Sequence, residues 1–241
     1  MRQLAGMRPI FYGMLKRTSL IDFEGRLARV FFTAGCNFRC PICHNPEMVY
    51  AAEGHLPWEK VAAVLDRDLE DWVNGVVISG GEPTIHPELG EVIQAIRDRG
   101  LAVKLDTNGA LRARLEAVHG RADFVAMDLK GPLDRYREIA GVAIDPAEIR
   151  ASLRLLASRP AGSYEVRTTV IAGVHTADDM RAAARELVGI ARFVLQPFVP
   201  QESLLDPACA GRERTTDAYL REMLAVVQPI VPGAVIRGIN V

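Results

Sequence analysis

The sequence predicts an α/β fold in which strands and helices alternate along the chain. Short apolar runs are followed by longer stretches in which apolar residues recur at every third or fourth position. Six such β-α units in series favour a parallel sheet covered by helices, either an open doubly wound sheet or a barrel. Because a closed eight-unit barrel takes about 250 residues, six units in this chain predict a partial (β/α)6 TIM-like barrel.

Each predicted strand is a short run of mostly apolar residues with turn residues at its ends. The six strands of the β-α units are residues 28–33, 76–79, 101–105, 123–128, 164–171 and 193–198, and 234–237 is a candidate terminal strand. In a parallel sheet or barrel of this kind, functional residues follow the carboxyl ends of the strands.

The predicted helices show one apolar face each. The first, 58–72, carries Trp58, Val61, Leu65, Leu69 and Trp72 at spacings of three and four residues. The others are the stretch from Leu89 to Ile96, 111–119, the stretch from Ile149 to Leu156, a helix starting at Thr176, and 216–228.

Composition and charge exclude several classes of protein. The formal net charge is -1, from 29 Lys and Arg against 30 Asp and Glu, so the chain lacks the basic excess of a general nucleic-acid coat protein. No apolar run reaches the ~20 residues of a membrane span, and no signal-peptide core is present, which predicts a cytoplasmic protein without a membrane partner. No linker interrupts the chain, so we expect one domain over 1–241: a core of about 26–200, with 1–25 and 212–241 packed on it.

Three of the four cysteines lie within eight residues. Cys36, Cys40 and Cys43 form a Cys-x3-Cys-x2-Cys loop directly after the first predicted strand, and Cys209 stands alone. Soft thiolate ligands select zinc or iron–sulfur clusters, and the spacing alone leaves both open. A closed zinc site takes four ligands, whereas a [4Fe–4S] cluster with three cysteines leaves one iron open for another ligand.

Polar motifs follow the next strands at the same predicted edge. Gly80, Gly81 and Glu82 follow the second strand, and Asp106-Thr107-Asn108-Gly109 follows the third. Asp128 is the last residue of the fourth strand, Lys130 follows it, and Arg167 lies within the fifth. Each motif alone could be an ordinary turn or an outward-facing charge, but their shared position at successive strand ends favours one common ligand site.

The cysteine loop followed by Gly-Gly-Glu-Pro resembles the radical S-adenosylmethionine (SAM) enzymes. With Thr18–Phe23, Cys43–Glu47 and the motifs at Asp106 and Asp128, the chain is most similar to the activases of glycyl radical enzymes, in particular those of anaerobic ribonucleoside-triphosphate reductase. The resemblance extends from about residue 12 to 230. It implies the radical SAM partial barrel, reductive cleavage of SAM and abstraction of a hydrogen atom from a glycine of a partner enzyme.

The resemblance also implies the cofactors and their ligands. Cys36, Cys40 and Cys43 would hold three irons of a [4Fe–4S] cluster, and SAM would chelate the fourth. A monovalent-cation site would involve Asp106, Thr107 and Asp128, and no further catalytic side chain is implied beyond the cluster and SAM. The residues that match SAM-binding positions of the family are Gly80, Gly81, Glu82, Asp106, Asn108, Asp128, Lys130 and Arg167.

Two departures and two alternatives accompany this hypothesis. Ile42 stands where the family usually has an aromatic residue, and Val199 where the pyruvate formate-lyase activase has a histidine; His44 is expected to shape the cluster loop, and Cys209 to be a bystander. We expect flavodoxin or ferredoxin as electron donor and no nucleic-acid partner. The alternatives are a radical SAM enzyme acting on pyruvate formate-lyase or on a small molecule, as 7-carboxy-7-deazaguanine synthase does, and a non-enzymatic zinc or electron-transfer protein.

Overall fold

Within the residues that the structure describes, eight strands form a sheet in which they follow one another in chain order. The computed structural model describes residues 4, 6–70 and 72–238. The strands are β1 (Phe11–Met14), β2 (Ala28–Thr33), β3 (Gly75–Gly80), β4 (Ala102–Thr107), β5 (Phe124–Asp128), β6 (Tyr164–Val170), β7 (Phe193–Pro197) and β8 (Ala234–Ile236). In the described residues, no helix has the length and apolar character needed to cross a membrane.

The helices are short, and several begin at side chains that cap them. The helices are α1 (Pro46–Tyr50), α2 (Trp58–Glu70), α3 (Leu89–Arg97), α4 (Arg112–Val118), α5 (Tyr136–Ile139), α6 (Pro146–Ala157), α7 (Ala177–Arg185) and α8 (Asp217–Val227). Thr176 and Asp179 form a reciprocal capping box that fixes the start of α7. Asp145 accepts a hydrogen bond from the N–H of Ala147 at the start of α6.

The six predicted strands are confirmed, with ends that differ by no more than two residues, and 234–237 corresponds to β8. The sequence did not predict β1, a four-residue strand that contains a glycine and pairs antiparallel with β2. The predicted face of the first helix is wrong at its end. That helix stops at Glu70, and Trp72 has a φ of 66° and is 87% exposed. The chain turns there because Asn74 pairs with the backbone of Leu27 and leads into β3.

Contacts divide the chain into two compact units. Within the described residues, the first consists of Met1–Asn37, Asn45–Thr107 and Ala113–Val125. In it β2, β3 and β4 pair in parallel, so that their carboxyl ends lie at the same edge. Phe23, Val30 and Val77 form part of its core against the ring of Phe124.

The second unit consists of Phe38–His44, Asn108–Arg112 and Ala126–Val241, again within the described residues. Here β6, β7 and β8 pair in parallel. The buried Glu165 at the start of β6 accepts two hydrogen bonds from Arg237, which follows β8. The single domain predicted over 1–241 stays a prediction.

Candidate functional site

The cysteine loop begins in the first unit, directly after β2. The N–H of Gly35 donates to the carbonyl of Met48 at 2.7 Å, and the N–H of Cys36 donates to that of Val49 at 3.3 Å. The imidazole Nε2 of His86 lies 2.8 Å from the carbonyl oxygen of Ala34. These contacts fix the position and direction of the first cysteine.

The Gly-Gly-Glu segment, which begins at the last residue of β3, packs directly on the residue before Cys36. The N–H of Glu82 donates to the carbonyl of Gly35 at 2.9 Å. A Cβ at Gly81 would lie 2.6 Å from the carbonyl carbon of Gly35 and closer still to its oxygen, so only glycine fits. Gly80 has a φ of 110°, which a residue with a side chain rarely adopts. The two glycines therefore allow a close approach between this segment and the cysteine loop.

Glu82 is buried and holds the turn that follows it. Its Oε1 accepts hydrogen bonds from the N–H of Thr84 at 3.0 Å, the hydroxyl of Thr84 at 2.5 Å and the hydroxyl of Thr107 at 2.7 Å. Glu82 therefore caps a short 3₁₀ helix at Pro83–Ile85 and links the end of β3 to the end of β4. Through this carboxylate, the structure brings together the Gly-Gly-Glu motif at the end of β3 and the Asp-Thr-Asn-Gly motif at the end of β4.

Asp106 of β4 lies between two polar side chains of the same unit. Its Oδ2 accepts a hydrogen bond from the hydroxyl of Ser79 at 3.1 Å, and its Oδ1 lies 3.5 Å from the ammonium of Lys104. Sequence reasoning missed Lys104. The signal was a lysine two residues before Asp106 in an apolar strand, because side chains two apart share one face of a strand.

The other two cysteines lie in the second unit, on a loop that the backbone holds on two sides. The N–H of Cys43 donates to the carbonyl of Cys40 at 3.0 Å, and that of Arg39 donates to the carbonyl of Ala140 at 2.9 Å. The carbonyl of Cys43 in turn accepts a hydrogen bond from the N–H of Leu205 at 3.0 Å. The segment after β7 thus packs on the cysteine loop.

Asp128, Lys130 and Arg167 form a charge network in the second unit. The Asp128 carboxylate accepts hydrogen bonds from Arg167 Nε at 2.8 Å and from Lys130 Nζ at 3.0 Å. Burial alone would raise the pKa of Asp128, but the charges of Arg167 and Lys130 hold it well below its ordinary value. Burial alone would lower the pKa of Lys130, but the negative charge of Asp128 raises it above its ordinary value, so both Asp128 and Lys130 stay charged at neutral pH.

The same network reaches Cys40. Burial raises the pKa of the Cys40 thiol above its ordinary value, and the positive charge of Lys130 opposes that rise. The ammonium of Lys130 therefore favours the thiolate that a metal cluster requires.

Two residues that the sequence analysis missed bind the backbone of Lys130, one at its N–H and one at its carbonyl. Its N–H donates to the hydroxyl of Tyr136 at 3.0 Å, and its carbonyl lies 2.8 Å from His175 Nε2. Because His175 Nδ1 accepts a hydrogen bond from the N–H of Ile171 at 3.0 Å, Nε2 carries the proton and donates to Lys130. Burial lowers the pKa of His175, which keeps the imidazole neutral in this role. Neither residue lies in a recognisable motif.

Ile42 lines a cavity of about 200 Å³ in the second unit, next to the third cysteine. Ile139, Ile171 and Val174 form its apolar wall. Cys209 also lines it, as do the charged residues Glu138, Asp206 and Arg212. Cys209 is distant from the cysteine loop in sequence, but its segment is bonded to that loop, since the N–H of Asp206 donates to the carbonyl of Pro41 at 2.9 Å.

His44 and Asn108 have local packing and turn contacts in the second unit. The ring of His44 lies 5.7 Å from that of Phe198, and burial lowers the pKa of His44. Asn108 is buried, and its side-chain oxygen accepts a hydrogen bond from the N–H of Ala110 at 3.0 Å, as in an ordinary Asx turn.

The soft donors of the cysteine loop fit an iron–sulfur cluster. In the part of the chain that the structure describes, no three His, Cys, Asp or Glu side chains converge on a position for one ion. The three loop cysteines are partly exposed and form no disulfide. In a cluster each thiolate binds a different iron, so the soft donors Cys36, Cys40 and Cys43 could supply three ligands without converging on one point.

Comparisons with known proteins agree with this chemistry. The sequence matches the radical SAM superfamily over residues 30–187. It is 28% identical over 228 residues to a protein of Methanocaldococcus jannaschii that is named as a candidate glycyl-radical enzyme activating enzyme, and the alignment covers 92% of this chain and 93% of that protein. A 7-carboxy-7-deazaguanine synthase from Methanopyrus kandleri is 32% identical over 119 residues, which are 41% of this chain and 47% of that enzyme.

A solved structure shares the fold. It is the crystal structure of a domain of pyruvate-formate lyase-activating enzyme from Bacteroides vulgatus, with a TM-score of 0.53 and 21% identity over 68% of this chain and 99% of that chain. At this identity the likeness concerns the fold alone. It confirms the predicted α/β fold class of the partial-barrel type.

Proposed function

Because the chain belongs to the radical SAM superfamily, and so is a radical SAM enzyme, we propose that it activates a glycyl radical enzyme. It would cleave SAM reductively and take a hydrogen atom from a glycine of its partner. The observation that carries the proposal is the similarity to the Methanocaldococcus jannaschii protein over more than nine-tenths of both chains. An activating enzyme and this chain would then share the whole catalytic domain and not only its cluster loop.

The loop cysteines and the strand-end residues are the proposed cofactor ligands. Cys36, Cys40 and Cys43 would hold a [4Fe–4S] cluster, which supplies one-electron reduction of SAM when it is bound. Soft thiolates are the ligands that iron–sulfur clusters take, which supports this assignment.

The strand-end charges would orient the methionyl part of SAM, which carries an amino group and a carboxylate. The carboxylate of Glu82 suits the amino group, and Lys130 and Arg167 suit the carboxylate. Asp128 would keep both cations fixed in place, since it accepts a hydrogen bond from each. Gly80, Gly81, Asp106 and Asn108 complete the proposed SAM-binding set.

The cavity beside Ile42 would take the adenine base. Its volume of about 200 Å³ and its wall of Ile139, Ile171 and Val174 suit a flat aromatic ring. An aliphatic Ile42 can pack on such a ring as an aromatic residue would, so the departure from the family pattern does not weaken the proposal.

The proposed partner is anaerobic ribonucleoside-triphosphate reductase, with flavodoxin or ferredoxin as electron donor. Val199 follows β7 and is 45% exposed. It supports the reductase over pyruvate formate-lyase as partner, because the formate-lyase activase has a histidine at this position. The second candidate function is a small-molecule radical SAM reaction. It is favoured by the partial match to a 7-carboxy-7-deazaguanine synthase, which covers less than half of this chain.

Product stoichiometry distinguishes the two candidates. The reconstituted enzyme is reduced, supplied with SAM and mixed anaerobically with the reductase encoded in the same genome. An activase forms about one 5′-deoxyadenosine for each partner protein and then stops. Formation of 5′-deoxyadenosine that does not depend on the reductase and continues over many turnovers with a small-molecule substrate would instead favour the second function.

A further inference from the structure

The ammonium of Lys104 is enclosed within the first unit. The residue is 5% exposed, and its Nζ lies 2.5 Å from the carbonyl oxygen of Asp22 and 3.5 Å from the carboxylate of Asp106. The ring of Phe124 covers a further side, with its centroid 5.9 Å from Nζ. A buried ammonium is costly unless it is paired and hydrogen-bonded, so this arrangement is specific to a positive charge.

The surroundings hold that charge in place. The Asp22 carbonyl lies in a tight turn in which the hydroxyl oxygen of Ser19 accepts hydrogen bonds from the N–H groups of Ile21 and Asp22. Asp106 is held from its other side by Ser79. The ammonium of Lys104 is therefore a fixed countercharge for Asp106.

The three residues of the expected monovalent-cation site all have protein partners. In the first unit Asp106 lies beside Lys104, and the hydroxyl of Thr107 donates to Glu82. In the second unit both oxygens of Asp128 accept hydrogen bonds from side-chain cations, one from Arg167 and one from Lys130. A hard cation needs several oxygen ligands that are not already neutralised. The two carboxylates of the expected site, Asp106 and Asp128, are therefore already neutralised within their own units and do not fit a bound monovalent cation.

We propose that Lys104 supplies, beside Asp106, the positive charge that a bound monovalent cation would otherwise provide, so that this enzyme binds SAM without K⁺ or Na⁺. The inference rests on the proposed SAM site and adds a positioning residue to it. Lys104 acts through Asp106 and does not itself need to touch SAM.

The test compares salts of equal ionic strength. SAM affinity and the melting temperature of the cluster-loaded protein are measured in potassium, sodium and tetramethylammonium chloride, the last being too large for a site of this kind. The wild type should give the same dissociation constant in all three, within about twofold, and the same melting temperature. SAM binding that is tighter by about tenfold or more in K⁺ than in tetramethylammonium, or stabilisation by K⁺ alone, would overturn the proposal without any variant.

Lys104→Met removes the charge and keeps the apolar stem. We expect it to weaken SAM binding by about tenfold or more in tetramethylammonium, and K⁺ to restore part of the loss and raise its melting temperature. The control is Lys60→Met, which removes an exposed lysine on α2. Wild-type SAM affinity of Lys104→Met in tetramethylammonium would show that the charge has no such role.

The salt test and the proposed function can fail separately. If the cluster-loaded wild type bound no SAM in any salt, the SAM site itself would be refuted. The melting temperatures would still report whether K⁺ binds, since they need no SAM, and K⁺-specific stabilisation of the wild type would still overturn the role of Lys104.

Discussion

Replacing Gly81 with alanine should damage the start of the cysteine loop more than its small size suggests. The new Cβ would lie 2.6 Å from the carbonyl carbon of Gly35, against about 3.5 Å for an ordinary carbon contact. The obstacle is backbone, and it belongs to the residue before Cys36, so no flexible side chain can move aside. Overpacking costs about 1–3 kcal/mol, and we expect the upper end of that range. For a chain of this size this lowers the melting temperature by roughly 6–12 °C.

Two measurements test this effect. Circular dichroism gives the melting temperature, and iron analysis after anaerobic reconstitution gives the iron content. The control is Gly120→Ala, since a Cβ at Gly120 meets nothing within 4 Å. Gly120→Ala should keep its stability to within about 1 kcal/mol and its iron content, whereas Gly81→Ala should lose both stability and iron. If Gly81→Ala matched Gly120→Ala in melting temperature and iron content, the close approach to Gly35 would not constrain the loop.

Two further predictions concern the cluster and the charge network. Alanine at any of the three loop cysteines should remove most of the iron and the visible absorption after reconstitution, and Cys209→Ala should keep both; the reverse result at Cys209 would make it a ligand. Asp128→Asn should leave Arg167 and Lys130 without their countercharge and cost about 2–3 kcal/mol at pH 7. Because the folded-state pKa of Asp128 is depressed, its contribution is complete above about pH 4 and is lost as the pH falls below that value. Urea unfolding should therefore show that the difference in free energy of unfolding between wild type and Asp128→Asn becomes smaller in acid. The exposed control Asp134→Asn should have the same free energy of unfolding as the wild type. A difference for Asp128→Asn that stayed constant with pH would contradict the charge network.

The order of strands and helices could be predicted because their signals are local. Short apolar runs between helical stretches define β2 to β7, and cap residues such as Thr176 mark where a helix begins. The end of α2 could not be predicted in the same way. The apolar spacing continues to Trp72, but the pairing of Asn74 with Leu27, far away in sequence, ends the helix earlier.

The candidate site was predictable only where a residue type signals its chemistry. The cysteine spacing and the charged residues at strand ends are visible in the sequence, whereas the partners that fix them come from distant segments. His175, which donates to the Lys130 carbonyl, is an unremarkable histidine in the sequence. Cys209 looked remote from the cysteine loop, and only tertiary packing brings its segment against that loop.

Isotope transfer from the partner tests the proposed function most directly. The partner reductase is prepared with glycine deuterated at Cα, and the reduced enzyme is supplied with SAM and mixed with it without oxygen. Deuterium from one glycine of the partner should then appear in 5′-deoxyadenosine. The partner made with ordinary glycine should give an electron paramagnetic resonance doublet, whose splitting collapses on deuteration. If 5′-deoxyadenosine formed with the reductase present but carried no deuterium, and no glycyl signal appeared, the enzyme would not be its activase.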